Sequence, residues 1–461
     1  MNKSEDKKFR IEHDSMGEVR VPAEHYWGAQ TERSRQNFKI GDRKMPAPFI
    51  TSYAILKGAC ASSNHALGKL DGLRSDLINS VCDEIREGKL TGEFPLSIYQ
   101  TGSGTQTNMN LNEVIANRGN EIHGSDLLKP NDHVNMSQSS NDTFPTVMHI
   151  SAIVEIRKKL MPALDRIIDE IRHLEDKNKG IIKSGRTHLQ DAVPLFISQE
   201  FSGWRAMLEH DREFIKESSD SLRELAIGGT AVGTGLNSPD RFDEEVCDIL
   251  SKKLNIKFYP SENKFYQLTS KNALAFSHGA VKALAADLIK IANDVRLMSS
   301  GPRLGFAEIT IPSNEPGSSI MPGKVNPTQA EALIMASLRV MGNDVVVGTA
   351  SSQGILELNV CMPVIMDAYM ESIRIISESI DSFTKNCLNG LSVNTEKLNS
   401  DISRSLMLVT ALSPSIGYEK AAEIAIKAHR EGRSLRDVAM ESGYVSEEDF
   451  DTLTDPIKML K

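Results

Sequence analysis

The amino-acid sequence predicts a mainly α-helical protein organised around a bundle of long helices. Its 461 residues are 40% hydrophobic and 25% charged but only 5% aromatic, a composition that favours helices over a β-sandwich. Five stretches with apolar residues at helical spacing exceed the usual three to four turns: residues 146–179, 194–224, 269–299, 327–350 and 361–388. Wide apolar faces on long helices need other long helices to cover them, so we expect a central bundle whose faces are shared between subunits.

Length and composition predict three domains, at about 150 residues per domain. An N-terminal domain spans residues 1–140, a central helical-bundle domain spans residues 141–395, and a small C-terminal helical domain spans residues 396–461. The first 50 residues contain several prolines and scattered glycines, so we expect them to be irregular.

Local signals place the remaining elements. Shorter periodic stretches predict helices over residues 50–67, 73–87, 417–431, 434–442 and 446–453. Pro145 suits the first turn of the long helix that starts near residue 146, and Pro162 is expected to kink that helix. The glycine-rich run Gly228–Asn237 follows no predicted strand, so we expect a bend between helices and no dinucleotide site. We expect five methionines to fill the core, at positions 335, 341, 362, 366 and 370.

Charge and cysteine content exclude several classes of function. The net charge is −9 and no basic tract is present, which argues against nucleic acid as a partner. The five cysteines are widely spaced and form no C-x-x-C pair, so we expect reduced thiols in a cytoplasmic protein and no cysteine-ligated metal. No apolar run approaches the roughly 20 residues of a membrane span and the N-terminus has no signal-peptide core, so we expect no membrane association.

Two segments rich in glycine, hydroxyl and amide groups precede predicted helices. Thr101–Asn110 reads TGSGTQTNMN, and its exposed N–H groups and hydroxyls form a neutral cradle for an anion at a helix N-terminus. A capped loop explains this segment equally well. Pro130–Asp142 places the donors Ser139, Ser140 and Asn141 just before the long helix predicted near residue 146, and Asn141 and Asp142 could equally be ordinary N-cap and turn residues.

A third segment, Gly185–Pro194, contains a histidine that titrates near neutral pH. His188 suits proton transfer, although an isolated histidine is more often structural. Its neighbours Arg186 and Thr187 are the residue types that hold a carboxylate beside such a ring, which favours a functional interpretation.

The fourth segment is a loop, Gly317–Glu331, in which glycine and proline alternate with functional side chains. A loop of this composition can close over a ligand. Lys324 supplies the positive charge that an anionic substrate needs in an acidic protein, and Asn326 follows it. Glu331 lies in the first turns of the next predicted helix and could hold a histidine as a proton carrier.

Together the four segments resemble the fumarase/aspartase superfamily. Gly317–Pro327 reads GSSIMPGKVNP and resembles its signature loop, and the other segments are similar to its remaining site regions in the same order. The resemblance covers essentially the whole chain. His188 stands where aspartases typically carry glutamine and Gly323 where they usually carry alanine, so the sequence is most similar to the class II fumarases.

The resemblance implies a fold, an activity and an assembly. The implied fold has three domains around a central long-helix bundle, and the implied homotetramer has a core of about twenty helices and active sites shared between three subunits. The implied reaction is the reversible, stereospecific hydration of fumarate to L-malate in the tricarboxylic acid cycle. The small dicarboxylate is the implied substrate, with no metal and no cofactor.

The resemblance also implies roles for individual residues. Ser318 is the implied base at C3, His188 acts with Glu331 through a bound water on the opposite face, and Lys324 stabilises the carbanion. The implied substrate-binding residues are Ser103, Gly104, Thr105, Ser139, Ser140, Asn141, Thr187, Ser319, Lys324 and Asn326.

A second, non-catalytic dicarboxylate site of related fumarases is altered in this sequence. Asp126 stands where relatives carry arginine and Lys129 replaces a histidine, while Asn131 and Asp132 are retained. We therefore expect this second site not to bind as it does in relatives. Three rival functions stay open at this stage: an aspartase-type ammonia lyase, an argininosuccinate-type lyase, and an inactive helical assembly.

Overall fold

The structure, a computed structural model, describes residues 8–460 and is mainly α-helical there, as predicted. The α-helices are α1 (Ala29–Asn37), α2 (Ala47–Ala66), α3 (Gly72–Arg86), α4 (Thr105–His123), α5 (Ser140–Glu155), α6 (Met161–Lys177), α7 (Ile197–Asp220), α8 (Phe242–Leu254), α9 (Lys264–Thr269), α10 (Asn272–Met298), α11 (Thr328–Ser351), α12 (Met362–Phe383), α13 (Thr395–Arg404), α14 (Ser413–Ile416), α15 (Tyr418–Glu431), α16 (Leu435–Ser442) and α17 (Glu447–Leu453). The long and short helices of the sequence prediction are all present.

The strands are short and pair only two by two within the described residues. They are β1 (Phe9–Asp14), β2 (Gly17–Pro22), β3 (Ile182–Thr187), β4 (Gln190–Phe196), β5 (Glu224–Leu225), β6 (Tyr259–Pro260), β7 (Ile309–Thr310), β8 (Gly354–Ile355), β9 (Leu358–Asn359) and β10 (Ser392–Val393). The pairs are β1–β2, β3–β4, β5–β6, β7–β10 and β8–β9, and only β5–β6 is parallel. The strands therefore form small local pairs between the helices.

The chain divides into two compact units. Within the described residues, the first comprises residues 8–162, 211–285 and 337–377, and the second comprises residues 163–210, 286–336 and 378–460. The predicted three-domain division stays a prediction.

Helices α2 and α5 form the centre of the first unit. Helix α2 packs against α3, α5 and α8. In α5 every residue from Ser140 to Val154 except Asn141 is buried, as expected for a helix with neighbours on all sides. The Phe49 and Phe144 rings join the two helices with centroids 4.8 Å apart.

The long helix predicted near residue 146 begins earlier and bends differently than expected. Helix α5 starts at Ser140, so Pro145 lies inside it and not in its first turn. A π-helical turn, Ile156–Leu160, replaces the kink predicted at Pro162. In that turn the Met161 N–H donates to the Ile156 carbonyl, and the extra residue absorbs the irregularity that proline imposes on the helix.

The first 50 residues were predicted to be irregular, and this is wrong for the described part. From Phe9 the chain forms the β1–β2 hairpin and then α1. Gly28, the N-cap of α1, has no side chain to cap the helix. The buried Glu113 carboxylate of α4 replaces it by accepting hydrogen bonds from the N–H groups of Gly28 (2.8 Å), Gln30 (2.8 Å) and Thr31 (3.2 Å).

The C-terminal helices of the second unit have their own apolar core. Its buried members are Ile402, Leu408, Val409, Leu412, Ala421, Ile424, Ala428, Leu435, Val438, Ala439 and Phe450. The burial of these residues explains why apolar residues recur at helical spacing at the end of the sequence.

Helix α11 is apolar but exposes much of its surface. Among the described residues it is the one helix long and apolar enough to span a membrane, and only 28% of its most apolar window is buried. Met335, Leu338 and Val345 are 64%, 56% and 67% exposed. Of the methionines predicted to fill the core, Met362, Met366 and Met370 are buried, Met341 is half-buried, and Met335 is exposed on the single chain.

The Glu113 cap generates a stability prediction. In Glu113→Gln an amide N–H would face backbone N–H groups that now donate to a carboxylate, so we expect a loss of about 1–2 kcal/mol. Thermal unfolding at matched protein concentration should show a lower melting temperature for Glu113→Gln than for the exposed control Glu262→Gln. Equal melting temperatures would show that Glu113 does not anchor α1.

Candidate active site

The first two candidate segments meet in the first unit at two helix N-termini. Gly104 is the N-cap of α4 and Ser139 is the N-cap of α5. The Asn108 side-chain amide, in the first turns of α4, donates to the Ser140 hydroxyl at 2.9 Å. Two helix N-termini converging in this way concentrate N–H donors and positive potential, which is the environment that binds an anion.

The packing at Gly104 leaves no room for a side chain. Its φ of 74° lies in the left-handed region, and a Cβ there would lie 2.1 Å from Phe144 Cδ2. On either side of it, the Ser103 and Thr105 hydroxyls are 2.9 Å apart and hydrogen-bonded. Glycine at position 104 therefore lets the N-terminus of α4 approach α5.

A buried carboxylate secures the start of α5. Asp142 accepts hydrogen bonds from the Ser139 N–H (2.9 Å), the Gly228 N–H (3.1 Å) and the Thr230 N–H (2.9 Å). Burial raises the pKa of Asp142 to about 6. The predicted glycine-rich bend is thus present and is tied to this helix N-terminus.

Asn141 also contacts the glycine-rich bend. Its side-chain amide donates to the Ala231 carbonyl at 2.7 Å. This bond uses one N–H of the amide and leaves its second N–H and its oxygen for other partners. The segment 228–231 therefore supports the side chain of a predicted substrate-binding residue.

Sequence reasoning missed Lys57, which lies beneath the second segment. Its side chain is fully buried, and its ammonium donates to Asn135 Oδ1 (3.1 Å) and Gln138 Oε1 (2.9 Å). Burial lowers the pKa of Lys57 to about 8, so the ammonium form predominates at neutral pH. The available signal was that Lys57 is the only Lys, Arg, Asp or Glu in the 20 residues of α2.

The third segment forms a hairpin in the second unit, with His188 at its tip. His188 and Leu189 have φ values of 55° and 62° and connect β3 to β4, the conformation of a two-residue type I′ turn. Thr187 and His188 are exposed. Positive φ at two non-glycine residues is unfavourable and is often found at functional sites.

Arg186 does not have the role predicted beside His188. Its guanidinium pairs with the buried Glu308 carboxylate and lies over the Phe306 ring, 4.4 Å from the centroid. Lys183, three residues earlier in the same strand, pairs with the same carboxylate at 2.7 Å. Glu308 therefore anchors strand β3 behind the exposed hairpin tip.

The fourth segment is a closed loop in the second unit. The Gly317 N–H donates to the Lys324 carbonyl at 2.8 Å, and the Asn326 amide donates to the Gly317 carbonyl at 2.6 Å. A Cβ at Gly317 would lie 2.3 Å from the Lys324 oxygen, so this closure requires glycine. Residues 313–318 and 321–325 line a cavity of about 430 Å³.

The Ser318 hydroxyl oxygen lies between two backbone donors inside this loop. It accepts hydrogen bonds from the Ile320 N–H (3.2 Å) and the Met321 N–H (3.0 Å). Donors aimed at a hydroxyl oxygen stabilise its deprotonated form. The neighbouring Ser319 and Lys324 are exposed, so the loop combines a serine hydroxyl bound by two N–H groups with a solvent-exposed lysine.

The predicted residues thus fall into two sets. Ser103, Gly104, Thr105, Ser139, Ser140 and Asn141 lie together in the first unit, whereas Thr187, His188, Ser318, Ser319, Lys324, Asn326 and Glu331 belong to the second. Glu331 is exposed in the first turn of α11. Among residues 8–460 no hydrogen bond or ion pair joins His188 to Ser318 or Glu331. Their assignment to one active site stays a prediction.

The altered second site is rich in carboxylates. Lys129 pairs with Asp126, and Lys129 and Asn131 line a cavity of about 520 Å³ together with Glu12, Asp14, Glu113 and Asp126. Asp132 is exposed. This surplus of negative charge fits the expectation that a dicarboxylate does not bind here, which stays a prediction.

Comparison with known proteins defines the class of this molecule. Residues 17–342 match the family described as Lyase, and residues 408–461 match the family described as Fumarase C C-terminus. The fold and its loops are those of a fumarase-type lyase.

Full-length relatives define the family more closely. The sequence is 56% identical to the class II fumarate hydratase of Campylobacter jejuni and 55% identical to that of Helicobacter pylori, with 98% of this chain and 99% of each relative covered. The crystal structure of class II fumarase from Schistosoma mansoni matches with a TM-score of 0.96 at 42% identity, over 98% of this chain and 99% of that one. This chain belongs to the class II fumarate hydratase family.

The two ends of α4 provide a matched test of the site packing. Gly104→Ala combines a left-handed φ with the Phe144 clash, whereas Gly124→Ala has a φ of 80° and no atom within 4 Å. The strain alone costs about 1–2 kcal/mol. We expect Gly104→Ala to weaken dicarboxylate binding at least tenfold and Gly124→Ala to change only the melting temperature. Equal binding by both variants would show that the approach of α4 to α5 does not shape the site.

Proposed function

We propose that this protein catalyses the reversible, stereospecific hydration of fumarate to L-malate. It is a hydro-lyase by family. The observation that carries the proposal is the closed loop Gly317–Asn326, which holds the Ser318 oxygen on two N–H donors beside an exposed Lys324. The rival ammonia-lyase and argininosuccinate-lyase activities are not favoured, because the full-length relatives are fumarate hydratases.

In the dehydration of L-malate to fumarate, a base removes a proton from C3 and hydroxide leaves C2. The electron pair left at C3 moves into the adjacent carboxylate, giving an aci-carboxylate with extra negative charge. Stabilising this charge is the main electrostatic requirement. Lys324 is the proposed cation for it, and Asn326 supports the loop that carries Lys324.

Anti elimination needs separate groups on opposite faces of the substrate. Ser318 is the proposed base at C3, because its alkoxide is stabilised by the Ile320 and Met321 N–H groups. His188, acting with Glu331 through a bound water, is the proposed proton carrier on the C2 side. The carboxylates are bound by the neutral donors of the two helix N-termini, with Thr187 and Ser319 as further donors.

We propose a homotetramer in the cytoplasm, with segments from several subunits completing each active site. The exposed apolar face of α11 supports this assembly, because Met335, Leu338 and Val345 need a partner helix to leave water. All five cysteines are free thiols, which fits a reducing compartment.

A direct assay tests the proposed activity. With L-malate, absorbance of fumarate should rise, and the rate should not change with a chelator present. L-Aspartate and argininosuccinate should give no fumarate. Fumarate formed from aspartate in preference to malate would overturn the proposal, and no product from any of the three would favour the inactive assembly.

Two variants in the same assay test the assigned chemistry. Ser318→Ala and His188→Asn should each lower kcat by roughly 10²–10⁴, the scale of lost acid–base help. Ser80→Ala, which changes an exposed serine of α3 outside the candidate segments, is the matched control and should retain wild-type kcat. Wild-type turnover by folded His188→Asn would show that His188 has no catalytic role.

A further inference from the structure

Two polar side chains, those of Asn135 and Asn108, connect Lys57 to Ser140 in the first unit. The Lys57 ammonium donates to Asn135 Oδ1 at 3.1 Å, and the Asn108 amide nitrogen donates to the same oxygen at 3.0 Å. The second N–H of that amide donates to the Ser140 hydroxyl at 2.9 Å. Lys57 and Asn108 are both 0% exposed. The chain of bonds therefore runs from a buried cation to a predicted substrate-binding hydroxyl.

The cation determines the direction of every bond in this chain. An ammonium group has donors and no acceptor, so the oxygen of Asn135 must face Lys57. The same oxygen also accepts from the Asn112 amide at 3.1 Å. A reversed Asn108 amide would place its carbonyl oxygen 3.0 Å from the Asn135 oxygen, which is repulsive. Asn108 must therefore present its NH₂ group to both neighbours.

This direction decides what Ser140 offers to a ligand. Its oxygen already accepts a hydrogen bond from Asn108, so the hydroxyl proton is left to donate. An ionised carboxylate only accepts hydrogen bonds, and Ser140 is the first residue of α5, where the helix dipole also favours an anion. A serine whose proton pointed inward would instead present lone pairs to the substrate.

We propose that Lys57 is a positioning residue that sets the Ser140 hydroxyl as a donor to the substrate carboxylate, acting through Asn135 and Asn108. The proposal rests on the proposed function, in which Ser140 binds one carboxylate of the C4 diacid. The Lys57 ammonium lies beneath the predicted substrate-binding segment and forms no ion pair with it. The proposal gives this buried cation a role. It also makes this end of the site selective for an ionised acid.

A second buried lysine provides the control for a purely structural role. Lys271 is 1% exposed, and its ammonium donates to the backbone carbonyls of Gln267 (2.7 Å), Ser270 (3.0 Å) and Leu268 (3.1 Å). It caps the end of α9 and contacts no predicted site residue. Lys271→Met therefore removes a buried ammonium without touching the chain from Lys57 to Ser140.

The experiment measures L-malate affinity of the full-length protein by calorimetry, with melting temperatures and steady-state kinetics alongside. Lys57→Met should weaken binding about tenfold and raise KM more than it lowers kcat, while Lys271→Met should change only the melting temperature. Asn108→Asp replaces the donor by an acceptor and should weaken binding roughly tenfold to a hundredfold.

A double-mutant cycle distinguishes the loss of the oriented Ser140 hydroxyl from the effect of the negative charge that Asn108→Asp adds. In a Ser140→Ala background there is no hydroxyl to orient, so Asn108→Asp should have little further effect on affinity. An undiminished effect in that background would mean charge repulsion and overturn the proposal. Wild-type affinity in folded Asn108→Asp would also overturn it. If the variants follow this pattern of L-malate binding but the wild-type protein forms no fumarate, the proposed function is contradicted and the role proposed for Lys57 is not.

Discussion

The convergence of the N-termini of α4 and α5 is the constraint on which the rest of the candidate site depends. A diacid must be held in a chain whose net charge is −9, and the structure meets this need with neutral donors and two helix dipoles. The charged groups that secure the donors, Lys57 and Asp142, are both fully buried and face the chain, not the ligand. Desolvation lowers the pKa of Lys57 and raises the pKa of Asp142, and for Asp142 the backbone N–H donors oppose this shift.

The side chains of the second unit that we propose as catalytic are held in a different way. His188 lies at a two-residue hairpin tip with positive φ, and Ser318 lies in a loop closed by the bond between Gly317 and Lys324. Both are short, strained or tightly closed connections, so their backbones are restrained while His188 is exposed and Ser318 half-buried. This combination suits residues that must meet a substrate and partner segments from outside their own unit.

Helical periodicity predicted the long helices to within a few residues, because an apolar face leaves a clear pattern in the sequence. The sequence prediction placed the start of α5 near residue 146, because proline is typical of a first helical turn. The capping box of Ser139 and Asp142 begins the helix earlier, at Ser140, and leaves Pro145 inside it. The β1–β2 hairpin was missed, since exposed short strands carry a weak signal. Most helix boundaries needed only local information.

The candidate site was predictable only in part. Its four segments stand out by composition, and the resemblance assigned them roles. Lys57 and Glu308 were not found, because each acts through residues distant in sequence, and only the folded chain shows that Lys57 contacts Asn135 or that Glu308 pairs with Lys183. Arg186 was misassigned for the same reason.

A crystal structure of the assembled protein with bound L-malate tests the central claim most directly. The account predicts one carboxylate within hydrogen-bond distance of Ser140 Oγ at the paired helix N-termini. It also predicts Lys324 Nζ on the carboxylate next to C3, and His188 within reach of the C2 hydroxyl directly or through one water. A ligand bound elsewhere, with the α4 and α5 N-termini free of it, would contradict the account.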